Sequence, residues 1–140
     1  MYQNIPILAT LVLMVITNAV MAQDDFYKKP QMAINGDFLT NAAPVQGKVI
    51  SGSLMAGGLW RIITSNLNCR QDLSLTSPIV RTFKKGDIIQ ADVGGGGADE
   101  VLYNPKDRYD NTWMLSRSKN GRDYKCYVRA NKKYIEPVRK

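Results

Sequence analysis

The side chains able to do chemistry in this chain are few, and histidine is not among them. Without an imidazole, the commonest general acid and base at neutral pH is missing. What remains is a pair of cysteines (Cys69 and Cys126), carboxylates at Asp99, Glu100, Asp107 and Asp110, and Ser116 with Lys119. Paired carboxylates hydrolyse glycosides when a frame holds them across the bond. Here they follow Gly94-Gly95-Gly96-Gly97, and nothing local would hold them rigid. The same four acids are a weak calcium candidate, although their spacing fits no EF-hand loop. The glycine run suggests a phosphate cradle, but no helix or Lys-Ser/Thr follows it, and Asp99 and Glu100 repel phosphate. Ser116 and Lys119 fall at a strand end and a turn, where exposure is the default. A zinc site would need carboxylates for half its ligands. Neither catalysis nor a metal or cofactor is therefore expected.

How the cysteines are used depends on the compartment. The first 22 residues carry no charged side chain, and the apolar run from Ile5 to Ala22 is broken only by Thr10, Thr17 and Asn18. It ends Val20-Met21-Ala22 before the polar Gln23-Asp24-Asp25, and a Val-x-Ala ending suits a signal peptidase. Residues 1–22 are expected to be a cleavable export signal, with a retained membrane anchor as the alternative reading. The expected location is secreted or periplasmic. In an oxidising compartment an even pair of cysteines is most simply one disulfide. Two free thiols and a metal site are the other readings. A Cys69–Cys126 bridge closes a loop of roughly 58 residues, which the chain-entropy estimate makes worth roughly 4 kcal/mol.

The formal charge of +7 is unevenly placed. Acids and bases balance over residues 23–58 and again over 59–114. The last 26 residues hold Arg117, Lys119, Arg122, Lys125, Arg129, Lys132, Lys133, Arg139 and Lys140 against only Asp123 and Glu136. Such a region attracts anionic partners such as cell-wall polymers, acidic lipids or nucleic acid, or simply keeps a secreted protein soluble.

The elements that must position these groups read as short strands. Residues 23–58 mix Pro30, Pro44 and several glycines with isolated apolar residues, which reads as a linker or extended arm with one short strand at Val49-Ile50. From residue 59 the chain is rich in β-formers. Leu59 to Thr64 puts Trp60 and Ile62 on one face, and Leu67 to Arg70 follows. Ile79 to Phe83 and Ile88 to Val93 are expected to pair as a hairpin across Lys84-Lys85-Gly86-Asp87, where Gly86 permits a positive φ. Thr112 to Leu115 comes next, then an Asn120-Gly121 turn. In Tyr124 to Ala130, alternation sets Tyr124, Cys126 and Val128 against Lys125, Tyr127 and Arg129. Tyr134-Ile135 returns after a single helical turn.

This order of motifs resembles the bacterial SH3-like (Src-homology-3-like) domain of exported and cell-envelope proteins. Leu67-Asn68-Cys69-Arg70 is similar to that family's Leu-Asn-Val-Arg strand, and Phe83-Lys84-Lys85-Gly86-Asp87 to its Leu-x-x-Gly-Asp turn. Trp113-Met114-Leu115 stands for its Trp strand, Cys126-Tyr127-Val128 for Gly-Trp-Val, and Tyr134-Ile135 for the final Tyr-Leu. The resemblance covers residues 59–138. It departs in the long loop from Gly94 to Asp110 and in Tyr127, which replaces the usual Trp. It implies an all-β fold over residues 59–140: a small barrel of about five to seven short strands behind the signal and the arm. The two cysteines replace other residues in strands that meet in this fold, which supports a bridge between them.

The family implies a binding or targeting role, often toward peptidoglycan or peptides. On this reading the chain is an exported, non-catalytic, monomeric module contacting cell-wall polymer or peptide through Tyr127, Tyr109, Trp113, Arg129, Lys125 and Arg117. Aromatic plates with flanking cations suit glycan and peptide backbones. A structural or protein-interaction subunit of a secreted complex is the second reading. A basic secreted effector or inhibitor is the third; nucleic acid is not an expected partner.

Overall fold

The computed structural model describes residues 25–49, 55–95 and 99–140. The expected export signal, and Ile50 of the expected short strand, lie outside the described residues. Seven strands form: β1 (Leu59–Ile62), β2 (Asn66–Arg70), β3 (Ile79–Lys84), β4 (Ile88–Ala91), β5 (Trp113–Ser118), β6 (Asp123–Arg129) and β7 (Ile135–Pro137). A single 3-10 turn spans Asp99–Leu102. All strand pairings are antiparallel, in one unclosed sheet of order β3-β2-β6-β5-β4-β1-β7.

Alternation sorts the side chains as the pattern requires. In β1, Trp60 and Ile62 are fully buried while Leu59 and Arg61 are half-exposed. In β6, Cys126 and Val128 are buried and Lys125 and Asp123 exposed. Gly121 (φ 96°) makes the tight turn between β5 and β6, its N–H donating to the Ser118 carbonyl. Before β7 the chain turns once, with the N–H groups of Tyr134 and Ile135 both donating to the Asn131 carbonyl. Buried residues from all seven strands, including Phe83 on one edge strand and Ile135 on the other, belong to one core cluster. The sheet therefore curls around a single interior.

The expected β3–β4 hairpin does not form. Gly86 does take a positive φ (94°), but its N–H donates to the Ile62 carbonyl and the Asp87 carbonyl accepts from Ile62 N–H. The turn thus docks on the end of β1 and sends the chain across the sheet. β4 then lies between β1 and β5, while β3 pairs with β2.

Residues 31–47, expected as part of a linker or arm, pack onto the sheet. Phe38 and Ala43 join the core, and the Phe38 ring meets the Trp60 indole edge-on at 4.8 Å. Asp37 is buried and accepts hydrogen bonds from Arg129 (3.0 Å), Asn131 Nδ2 (2.8 Å) and the Thr112 N–H (3.2 Å). Single bridges, Asp37 with Asn131 and Thr40 with Tyr103, replace a continuous strand. The arm-like composition has a packing reason at Gly57, where a Cβ would collide with the backbone carbonyl of Ala91. The two sheet edges are blunted against further pairing: β7 ends in Pro137, and β3 carries Arg81, Lys84 and a register shift opposite Cys69/Arg70.

Candidate functional site

A groove of about 570 Å³ opens between the β2–β3 loop and the loop that leads into β5. Leu73, Leu75 and Thr76 line one wall, and Asp107, Arg108 and Tyr109 the other. Tyr109 is 70% exposed and Leu75 60%, so the groove presents an aromatic and an aliphatic surface to solvent. Neither wall is loose. In the β2–β3 loop the Ser77 hydroxyl donates to the Asp72 carbonyl (3.1 Å), and Arg70 donates to the Ser77 carbonyl (2.8 Å).

The second wall hangs on Asp107. Its Oδ1 accepts the N–H groups of Tyr109 (2.9 Å) and Asn111 (3.0 Å), an Asx-type turn that side-chain carboxylates favour. Its Oδ2 accepts the Trp113 indole N–H at 2.9 Å. The loop is also tied to the N-terminal segment, because Asn104 N–H donates to Leu39 and its side-chain amide to Phe38. With the loop fixed, Tyr109 projects outward, and Arg108 donates to its hydroxyl at 2.6 Å.

Burial pushes the Asp107 carboxyl up, but the hydrogen bonds from Trp113, Asn111 and Tyr109 outweigh it and hold the group below its ordinary value of 3.8. Asp107 is therefore ionised at neutral pH and serves as an acceptor rather than a proton donor. A depressed carboxylate pKa stabilises the fold above the unfolded value, and that contribution is lost as pH falls through the folded value. As pH falls through the folded-state value, below 3.8, this loop is expected to loosen, seen as a change in Trp113 fluorescence. Asp107→Asn should remove that step, since an amide does not titrate and its Nδ2 cannot accept the Trp113 N–H; an unchanged acid transition would refute the latch.

Of the six residues expected to form the binding surface, only Tyr109 lines the groove. Tyr127 is half-buried on β6, in a cross-strand row with Leu115 and Arg70. Lys125 is exposed at a positive φ of 53°, where β6 bulges. The other three are structural. Trp113 shares the outward face of that row, yet it is 1% exposed because the Asp107 loop lies over it. Arg129 sits beside that indole (5.7 Å) and is committed to Asp37.

Arg117 corrects the expectation of a surface cation. A register shift between Ser116 and Arg117 buries both consecutive side chains. Arg117 then pairs with Asp92 at 2.7 Å and donates to the Met55 carbonyl at 2.7 Å. Ser116 is equally committed, its hydroxyl donating to the Cys126 carbonyl at 3.0 Å. Among the described residues no group of three or more His, Cys, Asp or Glu is placed to hold a metal. The calcium candidates Asp107 and Asp110 are instead bound to Trp113 and Lys106 respectively.

The groove residues that sequence reasoning missed are Leu73, Ser74, Leu75, Thr76, Arg108 and Asn111. A Leu-Ser-Leu run inside a polar loop was a signal for exposed apolar side chains, and Asp107-x-Tyr109-x-Asn111 was a signal for an ordered turn.

Cys69 and Cys126 form a disulfide, both fully buried, between β2 and β6. Among the described residues no helix is long and apolar enough to cross a membrane. Fold and groove together define an all-β domain with one internal disulfide, which fits an oxidising compartment, and an aromatic-aliphatic cleft between two knit loops. No protein-family model, curated protein or solved structure matches this chain.

Proposed function

We propose that this chain is an exported, non-catalytic binding module of SH3-like architecture that holds an extended peptide or cell-wall polymer in the groove between the β2–β3 and 103–111 loops. The observation that carries this reading is a solvent-facing Tyr109 and Leu75 held on braced loops. A preorganised apolar cleft binds without the ordering cost that mobile loops would add. Ser74, Thr76 and Asn111 add hydrogen-bonding groups along the lining, as a polymer with alternating polar and apolar faces requires. The architectural part of the reading is supported by the β4-β5-β6 meander flanked by β1 and β7, with the β2–β3 hairpin folded against β6. The absence of histidine and the committed states of Asp107 and Ser116 support a non-catalytic role.

Sedimentation with purified peptidoglycan, and a fluorescence titration with soluble peptide fragments of it, test the proposal. Tyr109→Ala and Leu75→Ser should each weaken retention by about tenfold, as loss of a central aromatic or aliphatic contact does. Neither should move the melting temperature by more than a degree or two, because both side chains are exposed. Retention that is unaltered in both variants refutes the groove.

A further inference from the structure

A second face of the molecule combines two features rarely left together on a surface: protruding apolar side chains and a dense collar of lysines. The turn 33–36 carries Ile34 at its tip, fully exposed at 106%, with Met32 52% exposed beside it. This tip is rigid. Gly36 (φ 90°) closes it, Lys132 N–H donates to the Gly36 carbonyl at 2.9 Å, and Asn131 donates to the Asn35 carbonyl at 3.2 Å. The Lys132 stem lies against Gly36, where a Cβ would meet it at 2.8 Å.

Cations lie beside the turn. Lys29, Lys132 and Arg139 line a shallow groove of about 470 Å³ with Met32, and Lys28, Lys133 and Lys140 are exposed at neighbouring positions in the chain. Among the described residues the acid lining this groove is Glu136, already paired with Arg61 at 3.3 Å, and Asp25 lies near Lys28 and Lys29 in the chain. This is where part of the C-terminal excess of positive charge comes to the surface. It shares no lining residue with the Tyr109 groove.

We propose that this face docks on the surface of an anionic lipid bilayer, with Ile34 and Met32 entering the acyl boundary and the lysine collar resting on the headgroups. A water-exposed isoleucine on a braced turn gains by entering an apolar phase, and it loses little conformational freedom in doing so. Lysines beside it gain from the negative surface potential, within a Debye length of the membrane. A soluble peptide or polymer ligand would match the cations but gives no reason for a bare isoleucine on the turn beside them.

The test uses the full chain carrying Ile34→Trp, with Leu75→Trp as the comparison. Trp60 and Trp113 are 0% and 1% exposed and form a constant background. With phosphatidylcholine vesicles containing phosphatidylglycerol, Ile34→Trp emission should shift to the blue and be quenched by brominated acyl chains. Leu75→Trp should show neither effect. Adding Lys132→Glu and Lys133→Glu should raise the lipid concentration needed by at least about tenfold, and added salt should act in the same direction. Quenching that is equal at both positions, or equal in vesicles without phosphatidylglycerol, overturns the proposal. So does a shift produced by soluble polyphosphate without quenching by brominated lipid.

Discussion

Removing the disulfide should lower the stability of this domain by roughly 4 kcal/mol, and with it the melting temperature by on the order of 15 °C. The expected result is the same for Cys69→Ala with Cys126→Ala as for the wild-type chain under a strong reductant. The size of the effect follows from where the bridge lies. It joins residues 57 apart in sequence, so it removes a large loop-closure entropy from the unfolded chain. It also joins β2 to β6, whose ladder holds a single paired position, Arg70 with Tyr127. Elsewhere in the sheet, β5 and β6 pair at five positions and β2 and β3 at five. The β2–β3 hairpin is thus weakly fastened by backbone hydrogen bonds, and the covalent link supplies what the ladder lacks. Because Leu73 and Leu75 ride on that hairpin, reduction should also abolish the binding proposed for the groove before the meander β4-β5-β6 melts. Calorimetry with and without reductant checks the first claim, and a titration at a temperature below both transitions checks the second. A melting temperature indifferent to reductant would falsify this account of the bridge.

Asp37→Ala should cost about 3–5 kcal/mol, as removal of one partner from a buried ion pair does. The carboxylate is 2% exposed and accepts three hydrogen bonds, from Arg129, Asn131 and the Thr112 backbone. Its loss strands the Arg129 guanidinium, 15% exposed, and leaves a buried N–H without an acceptor. Asp37→Asn, which keeps the shape and loses the charge, should cost less. A double-mutant cycle with Arg129→Met separates the pair from its surroundings: the double variant should be more stable than the sum of the singles predicts. Urea unfolding of the four proteins gives the values. A cost under about 1 kcal/mol for Asp37→Ala would mean that residues 31–47 lie outside the cooperative unit.

The N-terminal segment is where sequence reading fell short, and the physics explains it. Strands are read from period-two alternation over several residues, which β1 and β6 display plainly in Trp60-x-Ile62 and Cys126-x-Val128. Residues 31–47 touch the sheet through isolated bridges, and Asp37 finds its partners 92 and 94 residues away. No local pattern records such pairs. The β3–β4 hairpin was misread for a related reason. Gly86 announces a turn, but only the Ile62 backbone decides that the turn docks there rather than closing on itself. Arg117 was hidden by the register shift beside it, which breaks the alternation that would otherwise place a charged side chain outward. Tyr109 was legible as an aromatic in a polar loop, whereas the Asp107 latch on Trp113 was not, since six residues separate donor from acceptor.

The pairing of β1 with β7, and of Asp37 with Asn131, has a consequence for how the molecule is made. A chain emerging from the ribosome presents β1 well before one of its two neighbours, which arrives only with Ile135–Pro137. Until then the interior stands open beside β1, and the N-terminal segment, whose Asp37 is held by Thr112, Arg129 and Asn131, docks only once those residues have been made. Contacts this distant in sequence form slowly and late. Completion of the sheet therefore waits on β7, the last of the strands to be made, although the meander β4-β5-β6 can pair before it.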